Sequence, residues 1–222
     1  MAIKRSYYDG CAAAHALDLI GERWALLIVR ELLLGPKRFT HLQAGLAGIS
    51  PNVLTQRLNE LEAAFVVQRR KLPLPASAWV YELTEWGREL EPIILRLAHW
   101  GVRSVLFTPP AGLGADAMML SLRTFFDPHK AHGFAATIRI ELPDDQFDAA
   151  VADSRITLAR TGNGQVDAAI QVDSGTLVKL AYGKGDIEQA LQDREFSFAG
   201  NKILLTRFLS LFTLPEGALA RT

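Results

Sequence analysis

The chain has 222 residues, 49% hydrophobic and 22% charged, with 24 Lys+Arg against 24 Asp+Glu, a balance typical of folded globular protein that excludes disordered and collagen-like classes. Cys11 is its one cysteine, so no intrachain disulfide can form, and no run reaches the roughly 18 apolar residues of a membrane span. The neutral total conceals a split: residues 1–107 carry 13 Lys+Arg against 10 Asp+Glu, a net +3, and residues 108–222 carry 11 against 14, a net −3, which predicts two parts with different tasks.

His15 and Asp18 interrupt the first apolar stretch, so no export signal is read there and the cytoplasm is the expected compartment. Cys11–Ile20 predicts a short helix with Cys11, Ala14 and Leu17 turned inward, ended by Gly21. From Glu22 to Leu34 the pattern is apolar nearly all round, which predicts a buried central helix. Gly35-Pro36 stops it. Phe39 to Leu46 then predicts the first helix of a helix-turn-helix pair, with Arg38 and Thr40 at its start. Gly48-Ile49-Ser50-Pro51-Asn52 breaks that helix and opens the next, with Ser50 placed to cap and Pro51 at the first helical position, where a missing N–H costs nothing.

At about 100° per residue, Leu54, Leu58, Leu61 and Phe65 gather on one arc of this second helix, predicting an inward face. Asn52, Thr55, Gln56 and Asn59 share the opposite face. Carboxamides can bind adenine bidentately and a threonine methyl can touch thymine, so this uncharged stripe suits base edges in a major groove. An ordinary solvated face would have the same composition; the preceding helix and the hairpin that follows favour the DNA reading. Arg57 falls beside the apolar arc, where a packed stem with its head on a phosphate or an internal carboxylate is expected. The hairpin runs from Val66–Lys71 through Leu72–Ser77 to Trp79–Leu83, and Arg69, Arg70 and Lys71 are placed for phosphate contacts.

Thr84 is the expected cap of a long helix to about Phe107, bent at Pro92. Trp86, Leu90, Ile93, Leu97 and Trp100 recur along it at spacings of 4, 3, 4 and 3, a seam suited to packing between two chains. The first part, residues 1–107, is thus read as a mainly α winged helix-turn-helix that binds double-stranded DNA as a homodimer.

Thr108–Gly114, with Pro109, Pro110 and two glycines, reads as a linker. Residues 115–222 form the second predicted domain. Ala115–Phe126 predicts a helix, after which the period changes to two over Ala136–Leu142, Arg155–Ala159 and Val166–Val172. Asn163-Gly164 between the last two runs signals a hairpin. Asp173 or Ser174 caps a helix to about Tyr182, Asp186 caps another, Phe196 and Phe198 mark a strand, and Lys202–Phe212 predicts a helix covering the sheet. The fold expected is α+β, with a largely antiparallel sheet covered by helices. Met118, Leu122, Phe126, Phe196, Phe208 and Phe212 either close its core or line an apolar cavity for a nonpolar small molecule.

Residues 11–101 resemble the HxlR-type winged-helix regulators. The likeness rests on Cys11 followed by Ala16–Gly21, on Arg23–Ile28, Arg30-Glu31-Leu32, Gly35–Phe39, Gly48–Pro51, Leu54–Leu58, Leu61-Glu62 and Tyr81–Thr84 with Gly87. It implies a dimeric regulator, usually a repressor, with the helix from Ser50 in the major groove. Ala12 stands where the family commonly has proline, and Phe65 where a glycine usually follows the recognition helix. Some relatives use the cysteine at the Cys11 position as a redox or electrophile sensor, which makes Cys11 a redox candidate. Residues 115–214 resemble the sterol-carrier-protein type of lipid-binding domain through Asn163-Gly164, Ala168–Asp173, Leu177–Leu180 with Gly183, and Phe198–Asn201; that resemblance implies an apolar tunnel. Cys11 with His15, and His129 with His132, lack further ligands for a metal. No phosphate loop, nucleophile elbow or paired-carboxylate motif is found, so neither enzyme activity nor a cofactor is expected.

Overall fold

The computed structural model describes residues 6–108, 113–160, 164–183 and 185–215. Two compact units divide the chain, Met1–Ile94 and Leu95–Thr222. The division falls upstream of the Thr108–Gly114 linker, of which Pro109 and Pro110 lie outside the described residues.

In the first unit, α1 (Ala12–Ile20) is followed by α2 (Ala25–Leu32). Ala25, Ile28, Val29 and Leu32 are buried, but Leu27 is 40% exposed, so α2 is covered on most of its circumference and not all round as the apolar pattern predicts. Contrary to expectation, the apolar face of α1 is not covered: no residue of this helix is buried, Cys11 is exposed and Leu17 is half-exposed. The helix-turn-helix is formed by α3 (Phe39–Gly45) and α4 (Pro51–Ala63). Ser50 Oγ accepts from Val53 N at 3.3 Å, and Pro51 starts the helix. Leu54, Leu58 and Leu61 are buried. Phe65 is not; it stands exposed at φ 56°, because the chain must turn sharply from α4 into the wing. That left-handed conformation is the one glycine adopts without strain.

The wing pairs β1 (Val67–Lys71) antiparallel with β2 (Trp79–Leu83), Val67 opposite Leu83 and Lys71 opposite Trp79. Lys37 adds a third, one-residue strand: its N–H donates to Tyr81 O at 2.9 Å and its carbonyl accepts from Tyr81 N at 2.8 Å. The long helix predicted from Thr84 to Phe107 is two helices, α5 (Glu85–Arg88) and α6 (Glu91–Gly101). Thr84 caps the first through Gly87 N at 2.9 Å. Pro92 has no N–H for Arg88, so rather than bending one helix it sits in the first turn of a new one, where no such bond is needed. Ile94 is buried, while Trp86, Ile93, Leu97 and Trp100 are about half-exposed or more.

In the second unit, α7 (Ala115–Thr124) precedes a sheet of order β5-β4-β3-β6-β7. Its strands are β3 (Ala136–Leu142), β4 (Asp145–Ala152), β5 (Arg155–Arg160), β6 (Ala168–Val172) and β7 (Phe196–Gly200). Strand β4 is not among the period-two runs read from the sequence. The expected hairpin between β5 and β6 is also overturned. These strands are not neighbours: β6 pairs parallel with β3, and β4 pairs antiparallel with both β3 and β5. The tight turns are Pro143-Asp144 and Asp153-Ser154, the latter at φ 49° and 57°, both positive as a two-residue hairpin of the primed type requires. Asn163 lies outside the described residues. Helices α8 (Ser174–Ala181) and α9 (Ile187–Gln192) carry Asp173 and Asp186 as caps, and α10 (Lys202–Leu209), capped by Asn201 and shorter than predicted, packs on β6 and β3. Among the described residues no helix is long and apolar enough to cross a membrane.

Candidate nucleic-acid interface

Helix α4 is held by its apolar side, which fixes what its other side presents. Asn52, Thr55, Gln56 and Asn59 are all exposed, as are Arg38, Thr40 and Ser50. Thr55 Oγ1 donates to Pro51 O at 2.9 Å, which leaves its methyl free to face outward, and Gln56 Nε2 donates to Glu60 Oε1 at 2.9 Å. Arg57 is turned to the protein: its nitrogens meet Glu60, Glu22 Oε2 at 3.0 Å and the Arg23 carbonyl at 3.2 Å. The carboxylate alternative of the sequence reading therefore describes this arginine, which anchors α4 to the segment before α2.

A buried ionic group supports the same frame. Glu31, 1% exposed, accepts from Lys37 Nζ at 2.6 Å and Arg30 Nη2 at 2.8 Å. Space for it exists because position 45 is glycine; a Cβ there would lie 2.2 Å from Glu31 Oε2. The pairing does not follow from the helix pattern of residues 22–34, since the lysine partner lies across the Gly35-Pro36 stop. Lys37 thereby ties α2 to the wing, whose strand β2 its backbone also pairs.

On the wing, Arg69, Arg70 and Lys71 are exposed. Arg70 Nε lies 2.7 Å from Glu82 Oε1, and the Arg69 guanidinium carbon lies 4.6 Å from the centroid of the Trp79 ring. Trp79 is not among the candidates read from the sequence; two aromatics, Trp79 and Tyr81, in a basic hairpin were the available signal.

Cys11 occupies the N-cap of α1. The N–H groups of Ala14 and then Ala13 hold its thiol below the usual cysteine range, as helix N-termini do by favouring the anion.

In the second unit Met118, Leu122 and Phe208 are fully buried, Phe196 and Phe212 are buried, and Phe126 is half-buried. Phe126, Phe208 and Phe212 come together, the Phe212 ring centroid lying 6.2 Å from that of Phe126 and 5.1 Å from that of Phe208. Elsewhere in this unit Ser121 Oγ and Tyr182 Oη lie 2.5 Å apart, and burial pushes the Tyr182 phenol well above its ordinary range. His129 and His132 are exposed in the turns after α7.

Comparison with known proteins separates the two halves. Residues 19–106 match the family model described as HxlR-like helix-turn-helix, and residues 113–218 match that of the alkyl sulfatase C-terminal region. The HTH-type transcriptional regulator YybR of Bacillus subtilis is 36% identical over 104 residues, 46% of this chain and 83% of that protein. YodB of the same organism is 38% identical over 85 residues, 38% of this chain and 76% of that protein. The solved structure of the redox regulator HypR in its oxidized form is 35% identical, with a TM-score of 0.40, over 42% of this chain and 97% of that one. With its helix-turn-helix and wing in place, the chain belongs to the HxlR-like helix-turn-helix family and is a DNA-binding transcriptional regulator.

Proposed function

We propose that the protein is a cytoplasmic homodimeric repressor that lays α4 in the major groove and responds to a nonpolar effector held by residues 115–222. The exposed, uncharged stripe of Asn52, Thr55, Gln56 and Asn59 carries this reading: its apolar reverse side is buried, so α4 can meet a duplex only through that stripe. Arg38, Thr40 and Ser50 flank it, and Arg69, Arg70 and Lys71 supply positive charge beside it. The functional domains are taken as 1–107 and 115–222. The half-exposed seam of Trp86, Ile93, Leu97 and Trp100 supports pairing of two chains, as two half-sites require. Gel-shift titration at several salt concentrations tests the core of this reading. Affinity should fall steeply as salt rises; Gln56→Ala should lower sequence preference, and Arg70→Ala should weaken all DNA roughly alike. Unchanged binding in both variants would reject the assignment of reader and wing.

For the effector, the sterol-carrier-like resemblance and the alkyl sulfatase C-terminal match both favour a molecule with an alkyl chain. In this reading Phe126, Phe208 and Phe212, with Met118, Leu122 and Phe196, are the apolar residues that would part to receive it. To act, it must bind the DNA-competent and DNA-released states with different affinity, typically by about 1–3 kcal/mol. Native mass spectrometry of protein incubated with dodecanol, followed by gel shift, should give a one-per-chain adduct with altered operator affinity. A protein that takes up no adduct would favour a purely structural domain, and one that takes it up without effect on operator binding would favour a carrier over a sensor.

A second reading rests on Cys11, exposed and with its thiolate favoured by the start of α1. In it, oxidation or alkylation of this thiol changes operator affinity. Iodoacetamide should then react at neutral pH faster than with a free thiol, and operator binding of Cys11→Ser should no longer respond to diamide; a diamide response equal to wild type would reject the reading.

A further inference from the structure

The three cations of the wing are not equivalent. Arg70 is paired with Glu82, which also accepts from Gln68 Nε2 at 2.8 Å. Arg69, directly opposite Tyr81, instead lies over rings, 4.6 Å from the Trp79 centroid and 5.9 Å from that of Tyr81. Among the described residues no carboxylate pairs with it. A guanidinium packed over rings has fewer directions open to it and keeps its N–H donors for a further partner. Trp79 itself is 51% exposed, so this pair is presented at the surface.

Past them the wing ends in Pro73-Leu74-Pro75, with Leu74 83% exposed. The tip is ordered by Leu72 N donating to Ala78 O at 2.8 Å and Ser77 N to Pro73 O at 3.3 Å. An apolar tip offers nothing to a phosphate. It does suit a minor groove, where leucine and proline wedge against bases while arginine reads them. A flexible cation serves a phosphate equally well, whereas contact with a base edge gains from a direction fixed beforehand.

We propose that Trp79 is a positioning residue that holds Arg69 for reading a minor groove flanking the α4 site, with Leu74 entering that groove. The proposal rests on α4 as the major-groove reader. Narrow A·T-rich grooves attract arginine, and in the minor groove the guanine N2 amine separates G·C from A·T. The wing therefore selects A·T flanks, a contribution to sequence choice as well as to affinity.

The test is selection of sites by the full-length protein from a pool of randomised duplexes, followed by titration of the selected site with its A·T flanks replaced by G·C or by inosine·C, which lacks the N2 amine. Wild type should bind about tenfold more weakly with G·C flanks, in the range typical of one mismatched pair, and recover with inosine·C. Trp79→Leu and Arg69→Lys should discriminate flanks by less than about twofold while selecting the same core, and Trp79→Phe should behave as wild type. Undiminished flank discrimination in Trp79→Leu or Arg69→Lys, or no recovery with inosine·C, would overturn the proposal. So would an Arg69→Lys loss equal on all flanks, which marks a phosphate contact. Gln56→Ala separates the two readings: it should lose the core preference and keep that for the flanks, and a retained core preference sinks the reading of α4 alone.

Discussion

Phe65 concentrates a conflict between local conformation and side chain. Its φ of 56° costs an ordinary residue about 1–2 kcal/mol, and its ring, 77% exposed, recovers little of that by burial. The conformation is imposed from both sides: Val66 N donates to Leu61 O at 2.9 Å, and the Phe65 carbonyl accepts from Thr84 Oγ1 at 2.6 Å. Phe65→Gly removes the strain and keeps both backbone bonds, against a glycine entropy cost of about 0.5–1 kcal/mol. A net gain of up to about 1 kcal/mol is expected in urea unfolding of the first unit, followed by tryptophan fluorescence. A loss of stability would mean that the exposed ring is held by something other than this chain. Asp173 gives a residue-scale prediction in pH. Hydrogen bonds from the Thr176 hydroxyl and then its N–H hold the carboxyl below its ordinary range. Because the folded state favours the charged form, the stabilisation is complete above the unfolded pKa of about 3.9 and is lost as pH falls through the lower folded value. Asp173→Asn, which keeps a capping oxygen, should therefore narrow the stability difference between pH 6 and pH 3; an identical pH profile in the variant would remove Asp173 from that dependence.

At the scale of elements, the junction of wing and α5 depends on one missing side chain. A Cβ on Gly87 would lie 2.0 Å from the Val66 carbonyl oxygen, a backbone atom that cannot move aside alone. Gly87→Ala should cost about 3 kcal/mol, in the range of severe overpacking, and circular dichroism melts would show it as a lowered transition for the first unit; a change under about 0.5 kcal/mol would show that the junction yields. Signals of this local kind made the first unit readable. Ser50, Pro51 and the leucine spacing of α4 act within one or two turns, so cap, boundary and buried face all follow from neighbours in the chain. The α5–α6 break was legible in cause, through Pro92, but not in form. Strand β4 was hidden because Asp145, Asp148 and three alanines resemble a solvated segment; its strand character comes from pairing on both edges with β3 and β5. The Asn163-Gly164 signal failed for the same reason, since strand order is decided by which faces bury together and not by the turn dipeptide. Glu31 and Lys37 were opaque because burial of a charge is known only when its partner is.

For the whole molecule, the decisive question is what covers the apolar seam. Leu97 is 48% exposed in a single chain, flanked by Ile93 at 52% and Trp100 at 66%. Side chains of this size at helical spacing gain about 1.5–3 kcal/mol each when fully buried, so a second copy meeting them along the helix would be strongly favoured. Leu97→Arg puts a charge into that contact while adding no burden to the single chain, where the position already faces solvent. Sedimentation velocity at micromolar protein should show the wild type as a dimer and the variant as a monomer with an unchanged far-ultraviolet spectrum. Operator binding should fall with it, by about 10²–10⁴-fold if both half-sites are normally engaged together, because the second α4 no longer arrives at high effective concentration. Binding to a single half-site should stay within a few-fold of wild type, since α4 and the wing are untouched. A variant that remains dimeric would place the interface elsewhere, and one that is monomeric yet binds the full operator undiminished would show that pairing is dispensable for recognition.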